Sequence, residues 1–187
     1  MDAKKTSFRN IVDNLRNSIV ISQDKRLISY YSEYLVALKL SELGYDVEVL
    51  KKTQGPDLVV HIDQDVDRLV EIKSSHLDSE GWACATSFYK GTSIRRGEFH
   101  FCVFVIFEKL VKPVEYLIFT LKELEDVKKE RPYPITAFPN NRCVLFRYKN
   151  LREYKREIPN VKDRLDIEIK LHKHPEEFRN RWDKIVS

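Results

Sequence analysis

Residues 55–75, GPDLVVHIDQDVDRLVEIKSS, hold two β-branched runs joined by an acidic turn. Asp57–Ile62 and Arg68–Ser74 read as strands, in which side chains alternate faces at a period of two. Asp63-Gln64-Asp65-Val66-Asp67 between them is turn chemistry, so the pair reads as a hairpin. Pairing Ile62 with Arg68 puts Asp57 opposite Lys73 and Val59 opposite Glu71. Leu58, Val60, Ile62, Val70 and Ile72 then form one apolar face, and Asp57, Glu71 and Lys73 gather on the other. Two carboxylates and an ammonium on strands whose back is core cost desolvation energy unless they pair or hold a cation.

Periodicity on either side of the hairpin sets its surroundings. Phe8, Ile11, Val12, Leu15 and Ile19 recur at helical spacing and predict a helix over 4–20. A second helix is expected from Asp24, as N-cap, to Leu43, closed by Gly44. Tyr45–Lys51 reads as a strand, and Thr53-Gln54-Gly55-Pro56 as a break. After the hairpin, residues 79–97 read as a short helix followed by a loop. Phe99–Phe107 is a continuous apolar run, expected to be a strand buried on both faces. Glu115–Phe119 is a further strand, Thr120 caps a charged helix over Leu121–Glu130, and Arg142–Arg147 is expected to close the sheet. Helices are expected over 150–157 and 175–186. This alternation predicts an α/β fold, a central mixed β-sheet flanked by helices on both faces.

The length of 187 residues fits one domain, with a core over about 24–147 and a basic helical extension over about 148–187. With 42% hydrophobic and 33% charged residues and only 5 Gly, the chain is neither disordered nor low-complexity. No apolar run approaches the ~18 residues that span a bilayer, and the first twenty residues lack a secretory signal pattern. Cys84, Cys102 and Cys143 are odd in number and far apart, the pattern of buried free thiols in a reducing cytoplasm. The net charge of +4 lies wholly in the last 42 residues, 146–187, where twelve Lys/Arg face eight Asp/Glu. Such a surplus can supply phosphate contacts.

Two converging carboxylates suit Mg²⁺, with Mn²⁺ as a substitute, because a hard cation prefers oxygen ligands and keeps several waters. Asp57 and Glu71 are the candidate ligands, and the backbone carbonyl of Ile72 can add a third. Lys73, on the same face, can orient an attacking water. A Lewis acid, an activated water and a charge that steadies the pentavalent phosphorus together hydrolyse a phosphodiester.

Pro56-Asp57, thirteen residues, then Glu71-Ile72-Lys73 resembles the PD-(D/E)XK nuclease superfamily, which includes many restriction endonucleases and the archaeal Holliday-junction resolvases. The likeness covers roughly residues 28–107 and includes the order of elements, a helix and a strand before the hairpin. It implies a restriction-endonuclease-like core, with Asp57 and Glu71 as metal ligands and Lys73 as the catalytic lysine. The superfamily also commonly places a glutamate in the preceding helix, a position that Glu33 matches here, inside an apolar sector with Val36, Ala37 and Leu40. One feature departs from some resolvases: no Gln stands between Ser74 and Gly97. Ser74, Ser75, Lys90, Arg95 and Arg96 are the candidate nucleic-acid contacts.

The expected function is therefore a Mg-dependent DNA endonuclease of restriction type, paired as a homodimer where both strands are cut. The alternatives are a structure-specific resolvase-type nuclease and a non-catalytic DNA- or protein-binding module of a defence or repair complex. RNA as substrate has no feature for or against it. No phosphate-binding glycine loop, nucleophile elbow or dinucleotide fingerprint occurs. His172 and His174 have no third ligand nearby to complete a zinc set.

Overall fold

The computed structural model describes the backbone of residues 2–24, 26–51, 55–63, 66–76, 82–85, 99–123, 133–134, 142–147 and 178–186. Helices α1 (Asp2–Ser22) and α2 (Leu27–Glu42) precede strands β1 (Asp46–Val49), β2 (Leu58–Asp63) and β3 (Val66–His76). Then come β4 (Trp82–Ala85), β5 (Phe101–Lys109), β6 (Lys112–Thr120), β7 (Tyr133–Pro134), β8 (Arg142–Arg147) and a short helix α3 (Asp183–Val186). The main sheet has the order β1-β2-β3-β5-β6. Its β3–β5 pair is parallel and its other pairs are antiparallel, so the sheet is mixed and the fold is α/β.

Residues one helical turn apart explain the layering. Phe8, Val12 and Ile19 of α1 and Ile28, Tyr31, Val36, Ala37 and Leu40 of α2 are buried in one cluster with Leu58, Val60, Val70, Ile72, Val103 and Val105. The two helices thus cover one face of the sheet. The helix expected on the other face falls within 79–97, where the described part, Trp82–Ala85, is instead a strand. β4 pairs with β8, and β8 with β7, in a separate three-stranded sheet. Arg142–Arg147 is therefore a strand, as expected, but it does not close the main sheet. The expected helix at 150–157 lies outside the described residues, as does all of Leu121–Glu130 beyond Glu123.

Two helix boundaries differ in an instructive way. Asp24 does not cap α2. Its carboxylate accepts the Arg26 amide at 2.9 Å and is held by the Arg26 guanidinium at 2.7 Å, which leaves Arg26 as the N-cap. Gly44 does end the helix. At φ +100° it lets its own amide reach Ser41 O and the Tyr45 amide reach Leu40 O, a Schellman closure. Thr120 likewise caps as expected: Glu123 N–H donates to Thr120 Oγ1 at 3.1 Å, and Thr120 N–H donates to Glu123 Oε2 at 2.8 Å.

The C-terminal segment begins as an edge strand, where a helix over 175–186 was expected. Ile118 N–H donates to Phe178 O and Asn180 N–H to Tyr116 O, laying 178–180 along the outer edge of β6. Asn180 then turns at φ 50°, and only Asp183–Val186 is helical. Arg179 bridges Glu115 at 2.6 Å, Lys184 bridges Glu123 at 2.7 Å, and Trp182 and Ile185 enter the core. Among the described residues, no helix is long and apolar enough to cross a membrane.

Candidate active site

The hairpin forms, but its register differs from the expected one by two residues. Val60, not Ile62, stands opposite Arg68, and Leu58 stands opposite Val70. The strands run on to Asp63 and Val66 with an irregularity after His61, so the connection is only 64–65, shorter than the five-residue turn read from the sequence. A slip of two keeps every side chain on its face, where a slip of one would have reversed them. Extending the register brings Asp57 across from Glu71 rather than Lys73.

Asp57 sits just before β2, where β3 outruns its partner. Its amide donates to Val70 O at 2.9 Å, and its Oδ2 accepts the Ile72 amide at 2.6 Å. The carboxylate thus replaces the missing strand and is aimed by the backbone. On the other side of β3, Leu69 O accepts from His100 N, so residues alternate in the edge their polar groups address. Val70 and Ile72 address the β2 side. By the same alternation the carbonyl of Ile72, and both polar groups of Ser74, project over an edge that β2 no longer covers.

Glu71 points to the face away from the helices and is 4% exposed. Lys73, two residues on, donates through Nζ to Glu71 Oε1. The other oxygen, Glu71 Oε2, is buried and has no hydrogen-bond partner among the described residues. An unsatisfied buried carboxylate oxygen costs roughly 1–3 kcal/mol or more. Cys102 pairs with Glu71 in the parallel register and is fully buried. Burial drives its thiol far above the ordinary range, so it is a neutral floor to the site. Cys102 is a buried free thiol, as expected; the side chains of Cys84 and Cys143 lie outside the described residues.

Glu33 is half-buried on α2, and burial, then the Asp57 charge, raise its carboxyl to about 7 against the pull of Lys73. Asp57 is raised to about 6, first by burial and then by the Glu71 charge, with the Ile72 amide and Lys73 acting the other way. Burial opposes the Lys73 ammonium, but the Glu71 charge and hydrogen bond, and then Asp57, hold it above its ordinary range. Three acids face one amine. With all of them ionised the site carries two negative charges more than positive.

The structure thus brings Asp57, Glu71, Lys73 and the Ile72 backbone to one corner, within electrostatic reach of Glu33. Among the described residues, no three Asp, Glu, His or Cys side chains form a ready metal cage. A cation there would complete its shell from backbone, water or phosphate, as Mg²⁺ commonly does. Ser74 opens on a cleft of about 170 Å³ that Ser29, Ser32, Ile72 and Lys73 also line. Ser75 is buried and faces away from that cleft's strand edge. Lys90, Arg95 and Arg96 lie outside the described residues. Sequence reading did not single out Ser29, Ser32 or Cys102 as neighbours of the site. The pairings that bring them there are long-range and have no local signal.

No family model matches the sequence, and no curated protein matches it. Among solved structures the chain is similar to a bacterial homing endonuclease, I-Ssp6803I, with a TM-score of 0.53 and 14% identity over 87% of this chain and 92% of that one. At this identity the likeness is one of fold, and it spans nearly the full length of both chains.

Proposed function

We propose that this chain is a metal-dependent nuclease that hydrolyses phosphodiester bonds in DNA, with a restriction-endonuclease-like core of the PD-(D/E)XK type. One observation carries the reading: Asp57, Glu71 and Lys73 converge where β3 runs past the start of β2, and one buried Glu71 oxygen has no hydrogen-bond partner among the described residues. The shared fold with a homing endonuclease, an enzyme of the same reaction class, supports it.

The donor set fits Mg²⁺ or Mn²⁺. Asp57, Glu71 Oε2 and the Ile72 carbonyl would hold the cation, with Glu33 supporting its water shell. The bound ion would supply positive charge to the phosphoryl oxygens and acidify a water. Asp57 is oriented for this by the Ile72 amide, which takes one of its two carboxylate oxygens. Lys73 is steadied by Glu71 and keeps two further N–H donors to place the attacking water and to meet the charge growing on phosphorus. Glu33, whose carboxyl burial and the Asp57 charge hold above the ordinary range, is suited to accept the proton that water gives up. A twofold pair of chains would supply the two sites that a double-strand cut needs.

The test is incubation of supercoiled plasmid with Mg²⁺, Mn²⁺ or EDTA. Cleavage that EDTA stops and that Asp57→Asn abolishes is the expected outcome. Metal-independent cutting, or Asp57→Asn cutting at the wild-type rate, would overturn the proposal. Salt-sensitive DNA retention with no cutting would point to the binding-module alternative.

A further inference from the structure

The cleft beside Lys73 is lined by two serines, Ser29 and Ser74, that the hydrolytic step does not use. Ser29 lies in the first turn of α2, exposed, and that turn carries no acidic residue. Ser74 and Ser29 line it together, and the Ser74 amide projects over the edge of β3 that β2 does not reach, by the strand alternation described above. Lys73 lines the same wall, with its ammonium held on Glu71. Ser32 is different: its hydroxyl already donates to Ile28 O at 2.8 Å, so it offers the cleft only lone pairs. The donors therefore come from Ser29, Ser74 and Lys73. Ser74 also stands two residues beyond Ile72, about 6.6 Å along the strand, one step away from the proposed metal corner.

From this we infer that the cleft is a second phosphate subsite, which seats the DNA backbone phosphate next to the one that is cut. The inference rests on the nuclease reading and extends it. Two hydroxyls and one backbone amide, with the Lys73 charge close by, suit the nonbridging oxygens of a phosphodiester. Such contacts fix the register of the strand and carry no base information.

The experiment uses the full chain and a duplex spanning a cut site mapped on plasmid, with Ca²⁺ replacing Mg²⁺ to hold off turnover. Binding of Ser29→Ala/Ser74→Ala is compared with wild type on this duplex and on one carrying a neutral methylphosphonate at the flanking phosphate. The double variant is expected to bind about tenfold or more weakly, to lose less than wild type on the methylphosphonate duplex, and to melt at the wild-type temperature. Ser32→Ala is expected to bind like wild type. Equal methylphosphonate losses in both proteins, or wild-type affinity in the double variant, would overturn the subsite and leave the nuclease reading standing. A wild-type chain that neither binds nor cuts DNA would overturn both.

Discussion

The Ile72 amide donates to the Asp57 carboxylate at 2.6 Å, at the point where β2 stops and a backbone carbonyl would otherwise have received it. One side chain therefore both ends a strand ladder and presents an acid.

Replacing Asp57 should separate those roles. Asp57→Asn keeps an acceptor for Ile72 and is expected to fold at least as stably as wild type while losing cleavage. Asp57→Ala orphans the amide and is expected to be less stable than the Asn variant by about 1–3 kcal/mol. Urea unfolding of the two variants at pH 7 checks this, and equal midpoints would refute it.

Removing Lys73 is expected to do more than stop catalysis. The Glu71 side chain is 5% exposed, so Lys73→Met leaves its charge without a counter-ion, at a cost of roughly 3–5 kcal/mol. Adding Glu71→Gln should restore most of that stability and none of the cleavage. A double-mutant cycle by urea unfolding measures the coupling.

Glu33 sets a pH dependence whose sign is fixed. Its carboxyl rises from 4.5 to about 7 on folding, so the native state binds the extra proton. Stability from this group is full below about 4.5, falls as pH rises through the window, and is lost above about 7. In EDTA, Glu33→Gln should match wild type near pH 4.5 and exceed it above pH 7 by on the order of 1–3 kcal/mol. Thermal melts across this range decide it, and a difference that does not vary with pH would count against it.

A divalent cation should reverse that penalty. Mg²⁺ at about one hundred times its dissociation constant is expected to stabilise the chain by roughly 2.7 kcal/mol. At a fixed Mg²⁺ concentration the gain should be larger at pH 8 than at pH 5.5, since the Asp57 and Glu33 carboxyls lie at about 6 and about 7 in the absence of metal. Glu71→Gln should remove most of it. Calorimetric melts with and without the metal provide the readout.

Much of this was legible in the residues. The runs Asp57–Ile62 and Arg68–Ser74 announce a hairpin, and alternation puts Glu71 and Lys73 on one face, while Asp57, one residue before β2, is aimed by the Ile72 amide rather than by alternation. The error of two in register did no harm because the side-chain period is also two. Asp24 misled because an aspartate can close a turn as readily as cap a helix, and Arg26 was there to hold it. The destination of Arg142–Arg147 was not legible, since nothing local to a strand says which sheet it joins. For the same reason Cys102 could be read as buried but not as lying behind Glu71.

The strip Phe178–Asn180 along β6 has a bearing on self-association. Strands at the rim of a sheet are ready templates for a neighbouring molecule, and here the template at Tyr116–Ile118 is already taken by the chain's own tail, locked by Arg179 on Glu115. Along Tyr116–Ile118 this rim is therefore closed to a strand from another molecule.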